Sequence, residues 1–344
     1  MEKHIYNTNQ TLALENGEKL EDFTIAYHTA GKLNETKSNV LWVCHAFSAN
    51  SDVSEWWPEM MGKGKILDPE RYFIVCANYP GSCYGTTGPL SVNPQTKEAY
   101  YHDYPEVTIR DFVNAHEMLR EYLGIKHIHM IIGGSIGAFQ ALEWNIMRPE
   151  LFDNMVFIAS NAKASPWNIA FNETQRMAIQ ADPTFKMKSD MAGIEGMKTA
   201  RAVALLSYRN YMTYYMTQQD EESLLKNFRA CSYQNYQGEK LARRFNAFSY
   251  YFISKSFDTH DVGRNRGGVE TALSRVKANS LIIGISSDML FPVDEQKYVA
   301  EKIKEGKYFE IDSEYGHDGF LLEYDQLEKI IFNHLKIVKH ENTC

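Results

Sequence analysis

The chain has 344 residues, 44% of them hydrophobic and 23% charged, the balance of a folded protein with a sizeable core and not of a disordered one. Its 44 acidic residues against 36 basic ones leave a formal charge of −8, which argues against a broad phosphate-binding face and hence against a nucleic-acid partner. No apolar run reaches the roughly 18 residues that a membrane helix needs, and the polar first ten residues lack the apolar segment of a secretory signal.

The five cysteines, Cys44, Cys76, Cys83, Cys231 and Cys344, are odd in number, scattered and without a CxxC pair. A disulfide scaffold or structural zinc site is therefore not expected, and a reducing cytoplasm is. Cys344 is the final residue and does not make a prenylation motif. The histidines lack ligand spacing, so no metal is expected.

Residues 23–28, 40–45, 72–77 and 129–132 read as strands: short, rich in β-branched or aromatic side chains, and bounded by Gly, Asn or Pro. Several are apolar on both faces, as in a parallel sheet covered by helices. Residues 108–123 read as a helix. Ile109, Phe112, Val113, Leu119 and Leu123 keep helical spacing, Thr108 and Asp111 form a capping box, and Gly124 stands where a C-terminal cap belongs. A second helical run covers 139–147 and stops before Pro149. From 165 to 275 no strand is evident; 195–209, 221–230 and 238–255 look helical, with many Tyr, Met and Arg residues. Strands then return at 281–285 and 308–311, followed by an amphipathic helix at 327–335. The expected class is α/β: an α/β-hydrolase fold with a mostly parallel central sheet. Residues 1–164 and 276–344 form the core, and 165–275 form a helical lid inserted between core strands.

The strongest local signal is Gly133-Gly134-Ser135-Ile136-Gly137, set between a strand and a helix. A G-x-S-x-G there is the nucleophile elbow of α/β hydrolases: the serine backbone is strained, so its neighbours two residues away must lack side chains. The pattern lacks the Lys-Ser/Thr of a phosphate loop. In this fold the triad runs Ser, then acid, then His, each just past a strand. Asp288 follows the apolar run 281–285, and His317 follows 308–311. Asp312 is a rival acid but lies on the histidine's own strand; His45 and His260 are rival bases but precede the acid in the chain. The oxyanion donors expected are the amide of Ile136 and the amide of Phe47, the latter in the loop after 40–45.

Further stretches carry a more specific resemblance. They include His45-Ala-Phe-Ser, Trp56-Trp57-Pro58, and Gly81-Ser-Cys-Tyr-Gly-Thr-Thr-Gly-Pro-Leu-Ser-Val-Asn-Pro94. Others are Tyr104-Pro-Glu-Val-Thr-Ile-Arg-Asp111, Ser207-Tyr208-Arg209, Ser287-Asp288-Met-Leu-Phe-Pro292 and Gly316-His317-Asp318-Gly-Phe-Leu321. Over about residues 23–322 the chain resembles the homoserine O-acyltransferases of the α/β-hydrolase superfamily. The resemblance implies ping-pong transfer from acetyl-CoA, or succinyl-CoA, to the hydroxyl of L-homoserine through an acyl-Ser135 ester, with acyl-CoA as co-substrate and no bound cofactor. It implies that Arg201 meets the acceptor's carboxylate and that Asp318 faces its amine. It also suggests a homodimer built by the lid helices.

Departures from the family pattern fall around the acyl pocket: Phe47-Ser48-Ala49-Asn50 after His45-Ala46, and Ile136-Gly137-Ala138 after the nucleophile. The turn after Asp182-Pro183 is not rich in tyrosine. A homoserine or serine O-succinyltransferase and a carboxylesterase with the same triad are the competing readings. The stripe Tyr208, Tyr211, Met212, Tyr215 reads as lid core or dimer contact, and Arg243-Arg244 as a solvated face or a contact for CoA phosphates.

Overall fold

The computed structural model describes residues 1–335; Cys344 lies outside the described residues. Eight strands form one sheet in the order β1 (Glu2–Asn7), β4 (Thr24–Ala30), β6 (Phe73–Ala77), β5 (Val40–Cys44), β7 (Ile128–Gly134), β8 (Phe152–Ile158), β9 (Asn279–Ile285) and β10 (Gly306–Ile311). Contacts from β6 through β10 are parallel, while β4 runs antiparallel to β1 and β6. A separate small hairpin pairs β2 (Leu12–Ala13) with β3 (Lys19–Leu20).

Strand alternation sends side chains to two cores. Val40, Trp42 and Cys44 of β5 enter one, while Leu41 and Val43 enter the other. The first core is covered by α2 (Ile109–Tyr122) and α3 (Ile136–Met147), the second by α12 (Tyr324–His334) and the segment after α1 (Val53–Trp56). The α2 start keeps the expected box: Thr108 Oγ1 accepts from Asp111 N–H at 3.3 Å, and Asp111 Oδ2 accepts from Thr108 N–H at 2.8 Å. Past the end of that helix, Gly124 adopts φ +65°.

Between β8 and β9 the chain forms α4 (Pro166–Ala181), α5 (Ile194–Tyr208), α6 (Tyr211–Gln218), α7 (Arg229–Ala242), α8 (Ala247–Asp258) and α9 (Val269–Leu273). Ile179, Met197, Ala200, Leu241 and Phe248 join the first core, so these helices share a hydrophobic cluster with the sheet. The remaining helices are α10 (Val293–Lys302) and α11 (Gly319–Leu322).

Two expected helices differ. Residues 221–230 are mostly irregular: Asn227 takes φ +62°, and Asp220 Oδ1 accepts from Arg229 N–H at 3.0 Å, closing a loop that ends where α7 begins. The span 238–255 is broken in two because Asn246 caps a new helix, its side chain accepting from Ser249 N–H at 2.8 Å. Strands β1 and β8 and helices α4 and α10 were not among the sequence expectations. Among the described residues no helix is long and apolar enough to cross a membrane.

Candidate active site

Ser135 stands between β7 and α3 with φ +57° and ψ −129°, a strained conformation for a residue with a side chain. The flanking glycines explain how the turn fits. A Cβ on Gly133 would lie 2.4 Å from the Gly137 carbonyl carbon, and one on Gly137 would lie 2.2 Å from the Cys44 carbonyl oxygen. The second contact brings the end of β5, and with it the loop carrying Phe47, against the start of α3. Two bonds hold the strained residue: Ser135 N–H donates to Ile158 O at 3.0 Å, and Ser160 Oγ donates to Ser135 O at 2.9 Å.

Past β10, His317 Nδ1 lies 2.7 Å from Asp288 Oδ2. The other Asp288 oxygen accepts from the Leu290 and Phe291 amides at 2.8 and 2.9 Å. Both residues are buried. The two loops are tied together, since Gly316 N–H donates to Ser287 Oγ at 3.1 Å, and the segment after His317 is tied to the residue following α1, where Trp57 Nε1 donates to Phe320 O at 3.1 Å. With Nδ1 fixed, His317 Nε2 is buried and unpartnered among the described residues.

Ser135 and His317 share the wall of one small cavity of about 80 Å³. Phe47, Arg201 and Asp318 line it too, so five of the seven expected site residues meet there; Asp288 stands behind His317. Ile136 differs. Its side chain is fully buried and is not among the lining residues, so it does not flank the pocket as Phe47 does. The amides of Phe47 and Ile136 have no hydrogen-bond acceptor among the described residues, as an oxyanion site requires.

Charge in the cavity is mixed. Arg201 makes no ion pair among the described residues; Glu195, on the same helix, is paired with Lys198 at 2.7 Å. The guanidinium of Arg201 lies over the Tyr208 ring, 5.5 Å from its centroid. Asp318 Oδ2 accepts from Arg209 Nε at 3.2 Å. Burial pushes the Tyr208 hydroxyl up to about 12 despite the nearby Arg201 charge, so it remains a donor at neutral pH. Behind the triad, burial raises the Glu295 carboxyl to about 7; Asn161 opposes this by donating to it at 2.7 Å, and the Asp288 charge adds to the rise.

The rival groups stand elsewhere. His45 is fully buried, lies 2.9 Å from Ala46 O and is pushed down to about 4 by desolvation. His260 stacks on Phe139 and is pushed down to about 3 for the same reason. Asp312 bonds Ser286 at 3.0 Å, not His317. Tyr208 packs against the first core, as the lid-core reading has it, and also lines the cavity, with its ring 5.8 Å from that of His317. Its place within Ser207-Tyr208-Arg209 was the available signal.

The family model described as alpha/beta hydrolase fold matches residues 39–324. A curated homoserine O-acetyltransferase of Cyclobacterium marinum is 47% identical over 331 residues, covering 96% of this chain and 94% of its own length. The chain belongs to the homoserine O-acetyltransferase family of α/β hydrolases. A crystal structure of homoserine O-acetyltransferase from Bacillus anthracis superposes with a TM-score of 0.89 at 24% identity, covering 98% of each chain. An acetylester hydrolase from Corynebacterium glutamicum superposes with a TM-score of 0.86 at 26% identity, covering 97% of this chain and 96% of that one. Membership in this family therefore coexists with esterases of the same architecture.

Proposed function

We propose that this protein is a homoserine O-acetyltransferase that uses acetyl-CoA as donor and works by a ping-pong route through Ser135. Ser135 Oγ attacks the thioester carbonyl as His317 Nε2 takes its proton, and Asp288 stabilises the imidazolium. The Phe47 and Ile136 amides hold the oxyanion. The C–S bond breaks, the proton goes to the leaving thiolate, and free CoA departs. L-homoserine then enters, His317 takes its hydroxyl proton, and the alkoxide attacks the acetyl ester. O-acetyl-homoserine forms and Ser135 is restored.

The observation that carries this reading is the pairing, in one small cavity, of Ser135 and His317 with one unpaired cation and one carboxylate. An α-amino acid offers the complementary charges: carboxylate to Arg201, ammonium to Asp318. The same arrangement favours acetyl over succinyl. Arg201 is the cation among the lining residues, and a bound acceptor would occupy it, leaving no partner for a succinyl carboxylate.

Residues 165–275 act as a lid over the core formed by 1–164 and 276–344, narrowing the site so that an alcohol competes with water. The lid helices also carry the subunit contact in this reading. Tyr211 and Leu225, 75% and 99% exposed, give α6 and the following loop an apolar surface suited to a second copy. A monomer in sedimentation at micromolar concentration would remove that part. Cys44, Cys76, Cys83 and Cys231 are free thiols, in keeping with a cytoplasmic setting.

The test is to trap the intermediate. Protein mixed with acetyl-CoA alone should carry an acetyl group on the peptide containing Ser135, and L-homoserine should discharge it. Acetylation elsewhere, or none, would overturn the proposal.

A further inference from the structure

The insertion reaches the catalytic edge of the core at a second point. Arg244 lies in the break between α7 and α8. Its Nη1 donates to the Ser48 carbonyl and to the Tyr84 hydroxyl. The Arg244 carbonyl in turn accepts from Cys83 Sγ at 3.6 Å. This arginine, read from sequence as a solvated face or a phosphate contact, is exposed and at the same time engages the loop that carries Phe47.

The peptide connectivity of that loop gives the contact a direction. Ser48 C=O belongs to the same planar peptide group as Ala49 N–H. Ala49 N–H donates to Ala46 O at 3.1 Å. Ala46 C=O belongs to the same peptide group as Phe47 N–H. A chain therefore runs from the guanidinium through two peptide groups to the amide that faces the oxyanion. Hydrogen bonds in such a chain orient and polarise one another, and a cation at the head strengthens the donor at the tail. The loop is also fixed from the core, where Tyr79 Oη donates to Phe47 O at 2.9 Å.

We propose that Arg244 is a positioning residue that orients and polarises the Phe47 amide, so that the lid governs the rate at which Ser135 is acylated. The inference deepens the function above and rests on its assignment of the Phe47 amide to the oxyanion. Arg244 touches no reacting atom in this scheme. It acts where negative charge develops, so its loss should slow acylation without weakening the acceptor's binding.

The experiment compares wild type with Arg244→Gln and Arg244→Lys in two assays. One follows acetyl transfer from acetyl-CoA to Ser135 in a single turnover. The other follows phosphonylation of Ser135 by a small alkyl fluorophosphonate, which uses the same oxyanion donors but needs neither CoA nor acceptor. Arg244→Gln should slow both alike, by about 10-fold to 100-fold, the scale of a misplaced oxyanion donor. Arg244→Lys should recover most of the loss, and the KM for L-homoserine should change less than about twofold. Tyr84→Phe, which removes one of the two acceptors that hold the guanidinium, should slow both steps more mildly and serves if the glutamine variant does not fold. Phosphonylation at the wild-type rate with weakened acetyl-CoA binding would overturn the proposal and assign Arg244 to the donor's phosphates. Wild-type rates in both assays with only a lowered Tm would overturn it as well. Failure of the functional reading looks different: wild type would transfer no acetyl group, while phosphonylation would still report on the oxyanion donors.

Discussion

The sheet core and the inserted helices build the site in opposite ways. Ser135, Asp288 and His317 follow β7, β9 and β10, and all three side chains are buried. β5 is buried along its whole length, and the elbow glycines leave no room for a Cβ. Arg201 and Tyr208 come instead from α5, and Arg244 from the break between α7 and α8, in an insertion that keeps large apolar side chains at the surface, such as Tyr211 and Leu225. In the function proposed above, the core supplies the reacting groups together with Asp318, and the insertion supplies Arg201 and Tyr208. In this account the bond-breaking chemistry belongs to the buried strand ends, and the choice of acceptor is shared between Asp318 beside them and Arg201 of the insertion.

That division can be broken by mutation. Ser135→Ala should abolish turnover, by about 10⁴-fold or more, while circular dichroism and Tm stay close to wild type. Retained activity would remove Ser135 from the mechanism. Arg201→Ala should lower kcat/KM for L-homoserine by about 10-fold to 100-fold, the worth of a charged hydrogen-bond pair, while acetyl-enzyme forms at nearly the wild-type rate. Equal losses in both half-reactions would remove Arg201 from acceptor binding.

Gly137→Ala tests the core's rigidity. Its Cβ would meet a backbone carbonyl and not a movable side chain, so a loss of about 1–3 kcal/mol or more is expected in denaturant unfolding. A neutral outcome would mean that the elbow yields more readily than its geometry implies.

Acid titration sharpens the same contrast. Burial in the core holds His45 and His116 down to about 4 and His260 down to about 3, well below an ordinary histidine. The unfolded chain takes up protons near pH 6.5 that the folded chain refuses. Stability is therefore full above about pH 6.5 and falls as the pH drops toward 4. Replacing one of them, as in His116→Gln, should make that decline shallower by about one proton. An unchanged slope would show that the acid limb arises elsewhere.

The legible parts of the sequence share a cause. A strand buried on both faces is a short apolar run: Val40–Cys44 leads to Phe47, Ile128–Gly134 to Ser135 and Asn279–Ile285 to Asp288, while Gly306–Ile311, before His317, is only partly buried. β8 escaped because Asp153 and Asn154 interrupt its apolar run near the start. In the insertion, exposed apolar residues blur the helical stripe, so 221–230 reads as a helix although the segment is mostly irregular. Tyr208 shared spacing with Tyr211 and Tyr215, yet it faces the cavity while they face outward. Arg244 had no local signal. Its partners, Ser48 and Tyr84, lie far away in sequence, and only the packed fold unites them.

The most direct measurement of the central claim is CoA-thiol release by the purified protein with acetyl-CoA or succinyl-CoA, each with L-homoserine, L-serine or no acceptor, the products identified by mass. The account predicts rapid turnover with acetyl-CoA and L-homoserine, O-acetyl-homoserine as the product, and slow release without an acceptor. Thiol release at the same rate with no acceptor, or turnover confined to simple esters, would contradict it and make the protein a hydrolase.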